Sequence, residues 1–183
     1  IEPENNIQMV LESFANQPDF TLVLVGNWEA SSYGRNLKTN FSKYNNLHLL
    51  DPIYDVKNLD VIRSNAYIYV HGHTAGGTNP SLVEAMYLQI PVISFDVIFN
   101  RVTTNNQAIY FCNASELSTI IKNIEKYPLI AVAENLKIIA DRQYSWKNIS
   151  HKYTITIDPE FKKTPTMFDT FEIKVDRQVD VEM

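Results

Sequence analysis

Three of the chain's five glycines, Gly72, Gly76 and Gly77, fall within six residues of one another, in the stretch HGHTAGGTNPSLVEAM. Glycine permits positive φ and lets backbone approach a ligand closely. Pro80 suits the first turn of a helix, where its missing N–H costs nothing. A helix therefore opens at Asn79, Pro80 and Ser81. The first N–H groups of a helix lack intrahelical partners, and partial positive charge gathers there. A phosphate suits that position, with Thr78 and Ser81 adding hydroxyl donors. Glu84 lies a turn further on, too deep to cap the helix. It can accept hydrogen bonds from a ribose diol while backbone amides hold the phosphates. The same residues equally fit a plain strand-to-helix turn followed by an exposed glutamate, and the local pattern alone leaves both readings open.

Familiar phosphate motifs are missing. No G-x-G-x-x-G occurs and no G-x-x-x-x-G-K-[ST], so neither a dinucleotide fingerprint nor a P-loop is present. No D-x-D pair occurs either, which removes the usual metal-bridging carboxylates of many nucleotide-sugar enzymes. What is left is a nucleotide diphosphate site built on backbone amides, with no metal. His71 and His73 form an H-x-H pair without a supporting Cys, His or carboxylate cluster. They read as lining the sugar pocket or bonding the loop backbone. Arg101, close to Asp96 and Asn100, offers a cation for the phosphates, or else a solvated loop arginine. Trp28 reads as a half-buried loop residue or a stacking platform, Tyr67 and Tyr69 as core or sheet-face residues, and Cys112 as a small buried hydrophobe at a strand end.

Alternating elements must carry these residues. Ile7, Val10, Leu11, Phe14 and Ala15 recur at helical spacing, up to Gln17 and Pro18. The run FTLVLV (20–25) predicts a strand buried on both faces, as in a parallel sheet. Further strands are expected at 47–50, 66–70, 91–95 and 108–111. Helices are expected at 33–44, 56–64, 80–88, 115–127 and 129–142. This rhythm predicts βαβ units in an α/β, doubly wound parallel sheet. Ligands of such sheets bind at the carboxyl ends of the strands, so the candidate loops follow Val25, Leu50, Val70 and Phe95.

Composition bounds the reading further. The chain has 183 residues, 45% of them apolar and 20% charged, an ordinary globular balance. Its formal charge is −5 and its pI near 5.3, which argues against a broad nucleic-acid surface. One cysteine makes no internal disulfide. No apolar run reaches the ~18 residues of a membrane-spanning helix. The chain opens at Ile1 with neither Met nor signal peptide, which suggests a fragment of a longer protein. Composition shifts after Tyr153. From Asp158 onward there are 7 acidic and 4 basic residues, and residues 154–183 read as a C-terminal appendage: a hairpin, an interface arm or a tail.

With these residues in view, the chain resembles the C-terminal, donor-binding domain of family 4 glycosyltransferases, which have the GT-B fold. The resemblance covers residues 1–153. It rests on EPENNIQMVLESF, on VGNW (25–28), on LHLLDPIYDVKNLDVIRSNAYIYVHGHTAGGTNPSLVEAM and on PVISFDVIFNRVTTNNQAIYF. The combination of EPENN, HGHTAGGTNPSLVEAM and FNRVTTNNQAIYF is most similar to bacterial rhamnosyltransferases of polysaccharide assembly. The resemblance implies a Rossmann-like domain binding a nucleotide-diphospho sugar, with dTDP-rhamnose the implied donor. Glu84 matches the second glutamate of the family's E-x7-E motif, which binds the ribose. Gly77, Thr78 and Asn79 match the segment cradling the diphosphate, next to Gly76. Ile53 and Tyr54 would lie against the nucleobase, and Gly26 and Asn27 at another loop of the ligand edge. The implied reaction retains anomeric configuration by front-face displacement, needs no metal, and passes the sugar to a saccharide acceptor, lipid-linked or free. The implied place is the cytoplasm, at the inner membrane face.

The chain departs from the family pattern at several points. The first glutamate of E-x7-E falls at Gly76, and the phosphate-binding lysine at Asn5. The partner arginine, the domain's first strand and the acceptor-binding domain would all precede Ile1. The expectation is weak donor binding and no transfer by this chain alone. Two rivals are an epimerase of the same architecture, for which no acid/base pair is evident, and a non-catalytic α/β binding module. A receiver would need acidic residues where Val25, Gly26 and Asn27 stand.

Overall fold

The structure, a computed structural model, describes residues 1–145 and 147–150. The expected appendage at 154–183, together with Trp146 and residues 151–153, lies outside the described residues. Residues Ile1–Tyr144 form one compact unit. Of the second unit, Ser145–Met183, the described part includes a helical turn at 147–150.

In the first unit a short 3-10 turn, Pro3–Asn5, leads into α1 (Ile7–Ala15). There follow β1 (Leu22–Val25), α2 (Ser32–Phe41), β2 (Leu47–Leu50), α3 (Val56–Ser64), β3 (Tyr69–His71) and α4 (Pro80–Tyr87). The chain continues through β4 (Val92–Phe95), α5 (Ile98–Thr103), β5 (Ile109–Phe111), α6 (Ala114–Lys122), a 3-10 turn at Ile124–Lys126 and α7 (Leu129–Gln143). Strands and helices alternate as expected. Helix α5 was not predicted, and the expected helix 115–127 is divided at Asn123.

All strand pairs are parallel. β1 pairs with β2 from Leu22↔Leu47 to Val25↔Leu50. β4 lies between β3 and β5, with Tyr69↔Val92 and Ile93↔Ile109 in register. The strands therefore form two ladders, β2–β1 and β3–β4–β5. A doubly wound sheet has the order 3-2-1-4-5-6. The two ladders reproduce that order on either side of its innermost position, which no described strand occupies. This explains a departure from expectation. Of FTLVLV only Leu22 is buried, and Val23 is 42% exposed. Among the described residues β1 has a neighbour along one edge only, and α3 buries none of its residues. β4, flanked on both edges, buries Val92, Ile93 and Ser94, as an interior parallel strand does.

The core joins both ladders. Val10, Leu11 and Phe14, spaced for one helical face, meet Leu22, Leu37 and Leu47, while Leu82, Met86, Val92, Phe111 and Leu136 continue the same cluster. Burial of each large apolar side chain contributes about 1.5–3 kcal/mol. Trp28 belongs to this core: it is fully buried and its Nε1–H donates to Leu50 O at 2.8 Å, so it is not a half-buried loop residue and offers no ligand a stacking face. Cys112, expected inside, is exposed; it follows β5 just where α6 begins.

Side-chain caps fix where helices begin. Ser31 accepts from Gly34 N, Asp55 from Lys57 N and Asn58 N, and Asn113 from Glu116 N. Asn46 is buried, and its Nδ2 lies 2.9, 3.1 and 3.0 Å from the carbonyls of Phe14, Gln17 and Phe20. It holds the turn between α1 and β1 against the start of β2.

Candidate functional site

Parallel strands bring their carboxyl ends together, and the expected loops gather there. The segment 1–6 crosses between them. The Ile1 side chain packs on Gly26, just past β1, where an added Cβ would meet it at 2.7 Å. Ser31 Oγ donates to Ile1 O at 3.0 Å. Three residues on, Glu4 O accepts from Thr74 N at 2.8 Å and from Thr74 Oγ1 at 3.1 Å. Asn5 O comes so near Gly72 that a Cβ would sit 2.5 Å from it. Glycine is required at 72 for this close approach, not for its dihedral freedom.

Asn5, where the resemblance puts the family's lysine, reaches His73. Its Oδ1 accepts from Glu2 N at 2.7 Å, which orients the amide, and its Nδ2 lies 2.7 Å from His73 Nε2. Nδ2 can only donate, so Nε2 is an acceptor and the His73 ring is neutral, with its proton on Nδ1. Burial lowers the pKa of His73 from its ordinary value, with Glu4 opposing. The His73 ring stacks on His71, centroids 4.6 Å apart and planes 7° apart. His71 is buried; burial first, then His73, push its pKa down to about 3. Asn100 Nδ2 donates to His73 O and to Phe95 O, each at 3.0 Å. The loops after β3 and β4 are thereby tied together. Among the described residues His71 Nε2 and Asn100 Oδ1, both buried, make no well-formed hydrogen bond, though the Asn100 side chain lies near enough to His71 to oppose the fall of its pKa.

Beyond His73 the chain opens. Gly76 has φ +113°, a conformation that favours glycine. A Cβ at Gly76 or Gly77 would have nothing within 4 Å. Among the described residues, the backbone N–H groups of Gly76, Gly77 and Thr78 make no hydrogen bond, unlike that of Ser81, which donates to Asn79 Oδ1 at 2.9 Å. The free amides thus lie in the turn ahead of α4. The amide of Ser81, expected among them, is covered by the chain's own cap. Thr78 is exposed, and its side chain bears on the Tyr144 hydroxyl, which donates to Thr103 O at 3.0 Å.

Glu84 lies on the second turn of α4, as the spacing predicts, but it is not a lone exposed carboxylate. Arg63 Nη2, from the last turn of α3, is 2.8 Å from Glu84 Oε2. Tyr69 lies between the elements that carry them. Burial pushes its pKa up to about 12, Glu84 adds to the rise, and Arg63 and Ser81 oppose it. Nothing in the local sequence signals this cluster, because Arg63 and Glu84 meet only once the chain has crossed through β3.

Arg101, read as a cation for the phosphates or a solvated loop arginine, is paired with Asp96. It forms a two-pronged ion pair with Asp96, Nη2 to Oδ2 at 2.6 Å, and its guanidinium lies 4.2 Å from the Tyr110 ring centroid. The hydrogen bond from Arg101 holds the Asp96 carboxyl below its usual range. Ile53 is half-buried and Tyr54 is 86% exposed. With Gly26 and Asn27 they lie on the loops after β2 and β1. Tyr67, expected in the core or on a sheet face, is exposed. Among the described residues no three His, Cys, Asp or Glu side chains gather as a metal site would require, and no helix is long and apolar enough to cross a membrane.

Solved structures share this architecture. HepE of Anabaena, determined in complex with UDP-glucose, aligns with a TM-score of 0.69 at 19% identity, over 86% of this chain and 46% of its own. The sucrose-phosphate synthase of Thermosynechococcus elongatus aligns with a TM-score of 0.74 at 20% identity, over 89% of this chain and 44% of its own. The C-terminal domain of LpcC, a glycosyl transferase group 1 family protein of Francisella tularensis, gives 0.64 at 14% identity, over 80% of this chain and 83% of its own. The chain spans less than half the length of the first two. At such identities the likeness establishes the fold, the Rossmann-like α/β fold of the GT-B glycosyltransferases. A search of curated protein sequences finds no match. The sequence itself matches the family described as glycosyl transferases group 1 over residues 1–140, the stretch that carries both ladders, the open glycine turn and Glu84. This chain belongs to the group 1 glycosyltransferase family.

Proposed function

We propose that this chain is the donor-binding half of a retaining glycosyltransferase, and that its donor is a nucleotide-diphospho sugar, dTDP-rhamnose. The carrying observation is the open turn at Gly76–Thr78, whose three N–H groups make no hydrogen bond among the described residues, ahead of a helix whose second turn carries a carboxylate suited to a hydroxyl of the nucleoside sugar. Amides held in place neutralise a leaving diphosphate without reorganising, which is where catalytic electrostatics act most strongly. The UDP-glucose complex of HepE supports a nucleotide-sugar donor, and the motif resemblance to bacterial rhamnosyltransferases supports rhamnose. The acceptor is a saccharide of polysaccharide synthesis, lipid-linked or free, at the cytoplasmic face of the membrane. No catalytic residue is assigned in this chain. The acceptor-binding domain, and a strand between β1 and β3, belong in this reading to polypeptide outside these residues. Among the described residues β1 and β3 each have one unpaired edge, which supports the second of these. No metal takes part, because the turn and its helix supply the positive potential.

Titration of the 183-residue chain with UDP, dTDP and GDP, by calorimetry and NMR, tests the reading. The expected result is preference for dTDP, with shifts at Thr78 and Glu84 and weaker binding by folded Glu84→Ala. Saturation by NAD and by none of the three overturns it, and sugar transfer by the chain alone overturns the division of labour.

A further inference from the structure

We infer that Arg63 is the positioning residue of the ribose carboxylate: it holds Glu84 Oε2, leaving Oε1 to accept from a ribose hydroxyl. This rests on the reading that Glu84 receives the ribose.

Glu84 projects from the second turn of α4, beyond the reach of the helix cap, and its side chain is 49% exposed. A glutamate so placed samples several rotamers, and ordering it is an entropic cost of binding. Arg63 removes that freedom in advance. It reaches across from the last turn of α3, 27% exposed, and meets Oε2 at 2.8 Å. Both charges bear on the buried Tyr69 hydroxyl, Glu84 raising its pKa and Arg63 lowering it. A partly exposed ion pair adds little to folding stability, so its consequence lies in orientation. Arg63 is also free for this task in a way Arg101 is not, because Arg101 is committed to Asp96. The contact is single, Nη2 to Oε2, so it pins one carboxylate oxygen and leaves the other for a ligand.

The test uses the 183-residue chain as wild type, Arg63→Gln, Arg63→Lys, Glu84→Gln and the double variant Arg63→Gln/Glu84→Gln. Calorimetry measures the affinity of whichever of UDP and dTDP binds, and of its 2′,3′-dideoxy analogue. The ratio of the two isolates the nucleoside sugar's hydroxyls, the 2′ and 3′ groups of UDP or the 3′ group alone of dTDP, and a general loss of positive charge near the phosphates cancels from it. The expected wild-type ratio is about tenfold, the worth of a hydrogen bond to a charged group. Arg63→Gln and Glu84→Gln each bring the ratio close to unity, the double variant loses nothing more, and Arg63→Lys recovers part. Thermal melts establish that each variant is folded. If Arg63→Gln keeps the wild-type ratio, or raises it, while Glu84→Gln loses it, the positioning role is overturned and the ribose reading stands. If Glu84→Gln keeps the ratio, or no nucleotide binds the wild type, the ribose reading falls and this inference with it.

Discussion

Asn79 Oδ1 accepts the N–H of Ser81 at 2.9 Å, so α4 carries its own N-terminal cap within the segment that would face a phosphate. Cap and ligand site are therefore separate amides: Ser81 N belongs to the helix, and the amides of Gly76, Gly77 and Thr78 stay open. Replacing Asn79 with Ala removes the cap, for which the expected loss is about 1 kcal/mol of folding stability. Urea denaturation measures it. A loss indistinguishable from zero would mean that the cap is not formed in solution.

The glycines of the same loop differ in what they require. Gly72→Ala drives a Cβ to 2.5 Å from Asn5 O, a backbone atom, and so displaces segment 1–6 from His73. The expected cost is about 1–3 kcal/mol, the range for overpacking. Gly77→Ala meets nothing within 4 Å. It should leave the melting temperature unchanged while obstructing a bound diphosphate. Gly76→Ala lies between, with room for a Cβ but a strained φ of +113°. Denaturation midpoints set beside nucleotide titrations of the three variants check this ordering. Equal destabilisation by Gly72→Ala and Gly77→Ala would contradict it.

Much of this was legible in the sequence where the determinants are local. The periodicity of 56–64 gives α3 to the residue, and LHLL gives β2, because a short run with strong turn signals on both sides settles its own state. Pro80 and Asn79 likewise announce α4. The burial of β1 was not legible, because Val23 is exposed for want of a covering element, a fact carried by the rest of the fold. Helix α5 has only six residues and no side-chain cap. It is held by Asn100 reaching the carbonyls of His73 and Phe95, contacts that no window along the chain contains. At the site, the glycine turn and Glu84 follow from composition and spacing. Asn5 on His73 and Arg63 on Glu84 are tertiary pairings, visible only once parallel strands bring separate loops to one edge.

His71 links this buried geometry to pH. Its pKa falls from an ordinary value near 6.5 to about 3 in the folded chain. The unfolded chain therefore binds a proton that the folded chain refuses between those values. The stability this group confers is complete above about pH 6.5 and is lost progressively as pH falls towards about 3, with a slope approaching ~1.4 kcal/mol per pH unit. His73 shifts in the same direction and adds to the loss. Urea midpoints measured from pH 7 to pH 4 should show this slope in the wild type and a flatter one in His71→Asn. Parallel slopes would mean that His71 is protonated while folded.

Cys112 offers a last test, at the junction of β5 and α6. Its backbone N–H donates to Glu116 Oε2 at 2.8 Å, and its Sγ lies 3.8 Å from Asp96 Oδ2. The thiol is exposed, so a reagent reaches it. Yet its pKa is raised, by desolvation first, then by the charges of Glu116 and Asp96. The thiolate is the nucleophile, so labelling of the folded chain at pH 7.5 should go to completion but more slowly than labelling in urea. Glu116→Gln removes one of the two carboxylate charges and should speed the folded reaction. Asp96→Asn should do the same, while also releasing Arg101 to approach the sulfur. A folded rate equal to the denatured rate, or one that Glu116→Gln leaves unchanged, would show that these carboxylates do not govern the thiol.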